Sequence, residues 1–136
     1  MFSLKLLTPS GVVVKNLECS DLIIPTVRGE INVLPDHTHI LTELSTGVMT
    51  VKSGESKRHF HVTHGLCKVL KNEVSILAIT SESADSIDIE RVKKAQQLAQ
   101  EKLSGKDPLT DVELIKYQRK LERSQARMRA AYLHGA

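Results

Sequence analysis

The stretch Val74-Ser-Ile-Leu-Ala-Ile-Thr-Ser-Glu-Ser-Ala-Asp85-Ser-Ile-Asp-Ile-Glu-Arg91 decides the fold, because its periodicity changes partway along. Val74 to Ile79 is a short apolar run of strand type, the second arm of a hairpin that turns at Lys71-Asn72. From Asp85 onward the apolar residues recur at helical spacing: Val92, Ala95, Ala99 and Leu103 share one stripe. Asp85 or Ser86 can cap this helix, and Asp88 and Glu90 place negative charge in its first turn, where the helix dipole favours it. Ser104-Gly-Lys-Asp107 ends it, with Gly105 suited to the left-handed position after the last turn. Pro108 then suits a first helical position, and Thr110-Asp-Val-Glu113 is a capping-box pattern. Leu114, Tyr117, Leu121, Ser124, Met128 and Ala131 follow, spaced alternately three and four. Two helices joined this closely form an antiparallel hairpin.

Upstream of the switch, turn signals recur at short intervals: Thr8-Pro9-Ser10-Gly11, Pro25 to Gly29, Pro35-Asp36, Thr46-Gly47 and Ser53-Gly54. Between them lie strand-like runs: Phe2 to Leu6, Val12 to Lys15, Leu22 to Ile24, Ile31 to Leu34, Val48 to Lys52, His59 to Thr63 and Cys67 to Leu70. In the sixth, Phe60 and Val62 face one way, and His59, His61 and Thr63 the other. No interior helix is supported before residue 84. The chain therefore reads as α+β: an N-terminal antiparallel β-sandwich over residues 1–84, then a C-terminal antiparallel α-helical hairpin over residues 85–136. The small residues Ala95, Ala99 and Ser124 on the hairpin's stripes permit close approach but bury little area, so the hairpin is expected to be held only modestly.

The net charge of +3 is unevenly placed. Residues 1–84 carry eight basic and eight acidic side chains, so the entire excess lies in the hairpin. Within residues 116–129 of its second helix, six cations, Lys116, Arg119, Lys120, Arg123, Arg127 and Arg129, accompany a single acid, Glu122. Arg119, Arg123 and Arg127 are four apart and stack on one face, where like charges repel. An anionic partner would relieve them: a nucleic acid, an acidic protein segment or a nucleotide phosphate.

Other function classes are disfavoured. No apolar run approaches the roughly 20 residues that span a bilayer, and the N-terminus lacks the pattern of a secretory signal. Cys19 and Cys67 are far apart in strand-like sequence and read as a reduced pair. No nucleophile turn, glycine-rich phosphate loop or apolar-flanked carboxylate pair points to catalysis. Histidines two apart occur at His37/His39 and His59/His61, yet no Cys or carboxylate completes a metal set, so they read as exposed strand histidines and a turn histidine. Four aromatics in all leave little to stack bases on, which weakens the rival reading of a basic helical-hairpin module for nucleic acid.

Three segments carry a resemblance. Val27-Arg-Gly-Glu-Ile-Asn-Val-Leu-Pro-Asp-His-Thr-His-Ile-Leu-Thr42 resembles the LPxHxPLLT region of the epsilon-subunit family of proton-translocating, F-type ATP synthases. Gly65-Leu-Cys-Lys-Val-Leu-Lys-Asn-Glu-Val-Ser-Ile-Leu-Ala78 resembles that family's GGxxxVxxNxVxILA strand pair, and Ile87 to Arg91 its IDxxRA helix start. The resemblance implies a non-catalytic subunit of the rotor's central stalk, peripheral on the cytoplasmic face of the bacterial plasma membrane, with no nucleic-acid partner. It implies that the sandwich grips the gamma subunit and touches the c-ring, with Glu30 matching a position near the c-ring loops and His37 one near gamma. It implies a regulatory hairpin that permits rotation when folded on the sandwich. When extended into the head of alpha and beta subunits, the hairpin resists ATP hydrolysis, with Arg119, Arg123 and Arg127 facing an acidic segment of beta. No cofactor is required, but some bacterial members bind a regulatory ATP on the folded hairpin. Glu82, Ile87, Asp88 and Arg91 match that pattern, and Arg123 and Arg127 match its second-helix arginines. Val92 stands where the family has a small Ala.

Overall fold

The computed structural model describes residues 1–35, 39–105 and 107–135. Ten strands precede the helices: β1 (Phe2–Thr8), β2 (Gly11–Cys19), β3 (Asp21–Thr26), β4 (Gly29–Val33), β5 (Ile40–Leu44), β6 (Gly47–Ser53), β7 (Ser56–Val62), β8 (Gly65–Leu70), β9 (Glu73–Ala78) and β10 (Ser81–Ser83). They pair in the order β10-β7-β6-β3-β5-β8-β9-β1-β2, with β4 added on β3. The path folds over at β3 and β5, which share only the pair Thr26↔Leu44. Two layers therefore face each other across one apolar core that includes Leu4, Leu22, Ile24, Met49, Phe60, Val62 and Ile76.

Local sequence explains the tight joints. Lys71 and Asn72 both take positive φ, 48° and 62°, and make the two-residue turn between β8 and β9. At the start of β8 a Cβ on Gly65 would lie 1.7 Å from the Leu77 carbonyl oxygen, so only glycine lets the two backbones come this close. Both cysteines are free thiols buried in the core, and burial pushes each up to about 11, where they stay protonated and inert.

The structure departs from the strand reading in three respects. The strand β5 was not expected, because Thr42 and Glu43 interrupt its apolar character; it forms by pairing along its whole length with β8. The strand β10, Ser-Glu-Ser, has no strand signal of its own and exists because β7 offers it an edge. The sandwich is also not wholly antiparallel: β1 runs parallel to β9, from Ser3↔Glu73 to Leu7↔Leu77. These two strands are remote in sequence, so no hairpin dictates their relative direction.

A single 3-10 turn, Ala84–Ser86, leads from β10 to the helix α1 (Ile89–Ser104), and α2 (Asp111–Gly135) returns beside it. The cap of α1 is Asp88, not Asp85 or Ser86: its Oδ1 accepts from the Arg91 amide at 3.2 Å. Ile87 between them is extended, with ψ 126°, so the helix cannot begin earlier. Gly105 is not left-handed either; its φ of −70° and ψ of 163° are extended, and Ser104 Oγ donates to the Gln100 carbonyl at the helix end. The capping box of α2 forms as read, with Glu113 N donating to Thr110 Oγ1 at 3.2 Å and Thr110 N to Glu113 Oε1 at 3.3 Å.

The hairpin lies folded on the sandwich, docked through α2 on β6, β7 and the 3-10 turn. Val48, Ala84 and Ala130 form a second, small apolar cluster, flanked by Ile87 and Leu133. This contact alters the expected stripe of α2. Ser124, Ala126 and Ala130 are the buried positions, whereas Leu114 at the N-terminal end is exposed. The C-terminal half of α2 touches both α1 and the sandwich, so its covered face is wider than a two-helix seam and turned toward the sheet. The same contact cancels the alternation in β7 and beyond: Phe60, His61, Val62 and Thr63 are all buried, because α2 roofs the outer face.

Candidate functional site

A cleft of about 440 Å³ lies between the two helices and the strand β10. Arg91 and Ala95 of α1 form one side, and Lys120, Arg123, Ser124 and Arg127 of α2 another. Thr80, Ser81, Glu82 and His61 form the floor. Helical spacing places the α2 residues there: positions 120, 123, 124 and 127 differ by three and four and share a face. Ser124 is small and turns its hydroxyl inward to the Lys120 carbonyl at 2.8 Å, which leaves room for the longer side chains around it.

The floor follows from register. Glu82 of β10 lies opposite His61 of β7, so the two side chains emerge side by side on the face that α2 covers. Glu82 takes Arg127 in a two-pronged ion pair: Nε donates to Oε1, and Nη2 to Oε2 at 3.2 Å. This pair ties α2 to the sandwich. His61 Nδ1 stands 3.8 Å from Glu82 Oε1, too far for a hydrogen bond, and its Nε2 is buried with no partner among the described residues. Burial drives the His61 pKa down to about 4, and the Arg127 and Arg123 guanidiniums push the same way. The imidazole is therefore neutral at pH 7. The cleft then holds four cations, Arg91, Lys120, Arg123 and Arg127, against the one carboxylate of Glu82. Its side chains carry a net positive charge.

The residues expected from sequence divide between this cleft and other places. Glu82, Arg91, Arg123 and Arg127 line it together, although they come from three separate elements. Asp88 serves as the α1 cap, and Ile87 packs against the Val48–Ala130 cluster; neither lines the cleft. Val92 is fully buried and does not line the cleft either, so its extra methyls occupy the packed interior. Arg119 is exposed and borders a neighbouring cleft with Val112, Ile115 and Ile79. Because Arg127 is committed to Glu82, the ladder is not a continuous guanidinium rail for a nucleic-acid backbone. Glu30 is exposed on β4, and His37 lies outside the described residues.

His59 is half-buried, its Nδ1 3.0 Å from Thr50 Oγ1, and His61 is almost wholly enclosed rather than exposed. Alternation within β7 put His61 outward, which is geometrically right; the roof over it comes from α2, more than sixty residues later. The signal that could have revealed it is the run of small residues on α2, Ser124, Ala126 and Ala130, which require a surface to approach. Among the described residues, no three of His, Cys, Asp and Glu converge on a metal site, and no helix is long and apolar enough to cross a membrane.

Comparison with known proteins follows the same division of the chain. Residues 1–84 match the family described as ATP synthase, Delta/Epsilon chain, beta-sandwich domain, and residues 85–131 match its long alpha-helix domain. ATP synthase epsilon chains of Staphylococcus aureus, strains JH9 and Newman among them, are 34% identical over 131 residues, covering 96% of this chain and 96% of theirs. Among solved structures, a chain in the Euglena gracilis mitochondrial ATP synthase OSCP/F1/c-ring assembly aligns with TM-score 0.82 at 24% identity, covering 95% of this chain and 80% of that one. A chain in the Tetrahymena thermophila mitochondrial central stalk/c-ring structure aligns with TM-score 0.62 at 17% identity, covering 95% of each. The two structural likenesses bear on fold alone.

Proposed function

Because the chain belongs to the ATP synthase delta/epsilon family, as an epsilon chain, we propose that it is a non-catalytic rotor subunit whose hairpin is a nucleotide-sensitive brake. The sandwich is the seat. Leu41, Leu66 and Leu77 project from β5, β8 and β9 and are 73%, 47% and 49% exposed. Leu66 and Leu77 are direct cross-strand neighbours, so they form part of one apolar strip. This strip suits the gamma subunit, and Glu30 on the open edge of β4 suits the polar loops of the c-ring. The complex holds the subunit peripherally at the cytoplasmic face of a bacterial plasma membrane.

The observation that carries the regulatory reading is the four-cation cleft between hairpin and sandwich. A triphosphate there would be held by α1 through Arg91 and by α2 through Lys120 and Arg123, with Arg127 fixed beside them by Glu82. Such a ligand binds the folded hairpin only, because extension separates these groups. At 100 times its dissociation constant it would stabilise the folded form by about 2.7 kcal/mol. Without it, the four cations repel one another across the cleft and favour release. A released α2 presents Arg119, Arg123 and Arg127 together, the arrangement suited to an acidic segment of beta in the catalytic head.

Calorimetry on the isolated chain tests the site. Arg91→Ala and Arg123→Ala are each expected to weaken ATP binding, by roughly tenfold for the loss of one charge-assisted contact. Unchanged affinity in both removes the sensor. The brake has its own test: deletion of residues 85–136 from the assembled complex should raise ATP hydrolysis while leaving assembly intact, and an unaltered rate would mean this hairpin does not inhibit.

A further inference from the structure

We infer that His61 makes docking of the hairpin sensitive to pH: the folded hairpin holds this imidazole neutral, and taking up a proton releases α2. The inference rests on a detachable hairpin, as proposed above, but on neither nucleotide binding nor inhibition.

The geometry is specific. His61 is 3% exposed, and the roof that buries it is α2. Its Nε2 has no hydrogen-bond partner among the described residues, so a proton placed there would be both desolvated and unpaired. The charged groups around it come from every element at the cleft. Arg127, Arg123 and Lys120 stand on α2, Arg91 on α1, and Glu82 on β10. The one carboxylate among them is already engaged by Arg127, and His61 Nδ1 is 3.8 Å from it, beyond hydrogen-bond range. On its own strand His59 lies two residues away, hydrogen-bonded to Thr50 and close enough to Lys57 and His134 to feel their charge. An imidazolium in the docked state therefore faces several cations, and the one carboxylate within ion-pair reach, Glu82, is shared with Arg127.

Release reverses each of these terms. Once α2 lifts, water reaches Nε2, Arg123 and Arg127 move away, and Glu82 is left without its arginine beside His61. The imidazole then titrates near its ordinary 6.5, against about 4 when docked. Because the docked value is the lower one, docking is fully favoured above about pH 6.5 and loses ground as pH falls toward 4. Below that both states carry the proton and the difference no longer grows. Between about pH 7.5 and 5.5 the equilibrium should shift toward release roughly tenfold from this one group. An acidified compartment would then set the brake without any change in nucleotide.

Two measurements on the full-length chain, without nucleotide, test this. The first follows the His61 ring by NMR from about pH 8 to 4. It should resist protonation well below 6.5, and titration near 6.5 while α2 remains docked overturns the inference. The second uses a donor–acceptor dye pair at two exposed positions, Lys15→Cys on the sandwich and Tyr132→Cys on α2, to read release. The parent should show about a tenfold rise in the released-to-docked ratio on acidification. His61→Phe, which keeps a ring in place but cannot titrate, should abolish that rise, and His59→Gln should keep it. An equal rise in His61→Phe, or none in the parent, overturns the inference. A pair that stays close at every pH and after mild denaturant also overturns the detachable hairpin itself, and is thereby distinguished from failure of His61 alone.

Discussion

The sandwich and the hairpin are built from different material. The sandwich buries its large side chains completely: Phe60, Leu4, Leu6, Leu22, Ile24, Leu44, Met49 and Ile76 are all inaccessible or nearly so. The hairpin meets the sandwich through Val48, Ala84 and Ala130, a few half-buried neighbours, and one ion pair between Arg127 and Glu82. At roughly 25 cal/mol per Å² the first kind of contact yields several times the stabilisation per residue of the second. The difference teaches how a firmly packed part and a lightly packed one are combined in one molecule by grading side-chain size. The hairpin rests on alanines and a solvent-reachable ion pair, outside the apolar core of the sandwich.

Three substitutions would break or sharpen this contrast. Phe60→Ala opens a cavity at the centre of the sandwich and should destabilise it by about 3–5 kcal/mol, seen as a large fall in the denaturant midpoint. A small loss would mean that the core is not the firmly packed part. Ala130→Leu overfills the docking contact and should favour release of α2 by about 1–3 kcal/mol, read by hydrogen exchange in α2, while sandwich amides keep their protection. If both regions lose protection together, the hairpin is not a separate unit. Asp88→Ala removes the α1 cap and should loosen the first turn of that helix by about 1 kcal/mol, visible as faster exchange from Ile89 to Val92 and nowhere else. Loss extending into α2 would show that the two helices fold as one body more tightly than their small contacts suggest.

Most of the fold was legible because its signals are local. Runs of β-branched and apolar residues gave eight of the ten strands, and the Thr110–Glu113 box marked the start of α2, whereas Pro108 lies ahead of the helix rather than at its first position. What escaped was non-local. The strand β10 has no propensity of its own and depends on the edge of β7, and the parallel partnership of β1 with β9 is set by closure of the sandwich. Gly105 shows a subtler failure: glycine permits the left-handed cap, but here Gly105 itself is extended. In the candidate site, Glu82, Arg91, Arg123 and Arg127 were recognisable by resemblance, and helical spacing alone joined Arg123 to Arg127. Lys120 and His61 were missed as members. Lys120 reads as one more cation in a basic run, and the burial of His61 depends on a helix distant in sequence.

By itself the sequence determined that a neutral sandwich precedes a basic hairpin, since residue periodicity and the position of charge are properties of neighbours along the chain. It also determined that three arginines share one helical face. Only the tertiary structure decided that Arg127 is spoken for by Glu82, that four cations close around a cleft, and that His61 lies beneath them without a partner for Nε2 among the described residues. The physical reason is that pairing and desolvation depend on which surfaces meet. The meeting of α2 with β7 and β10 joins stretches of chain some forty to sixty residues apart, a distance over which spacing carries no information.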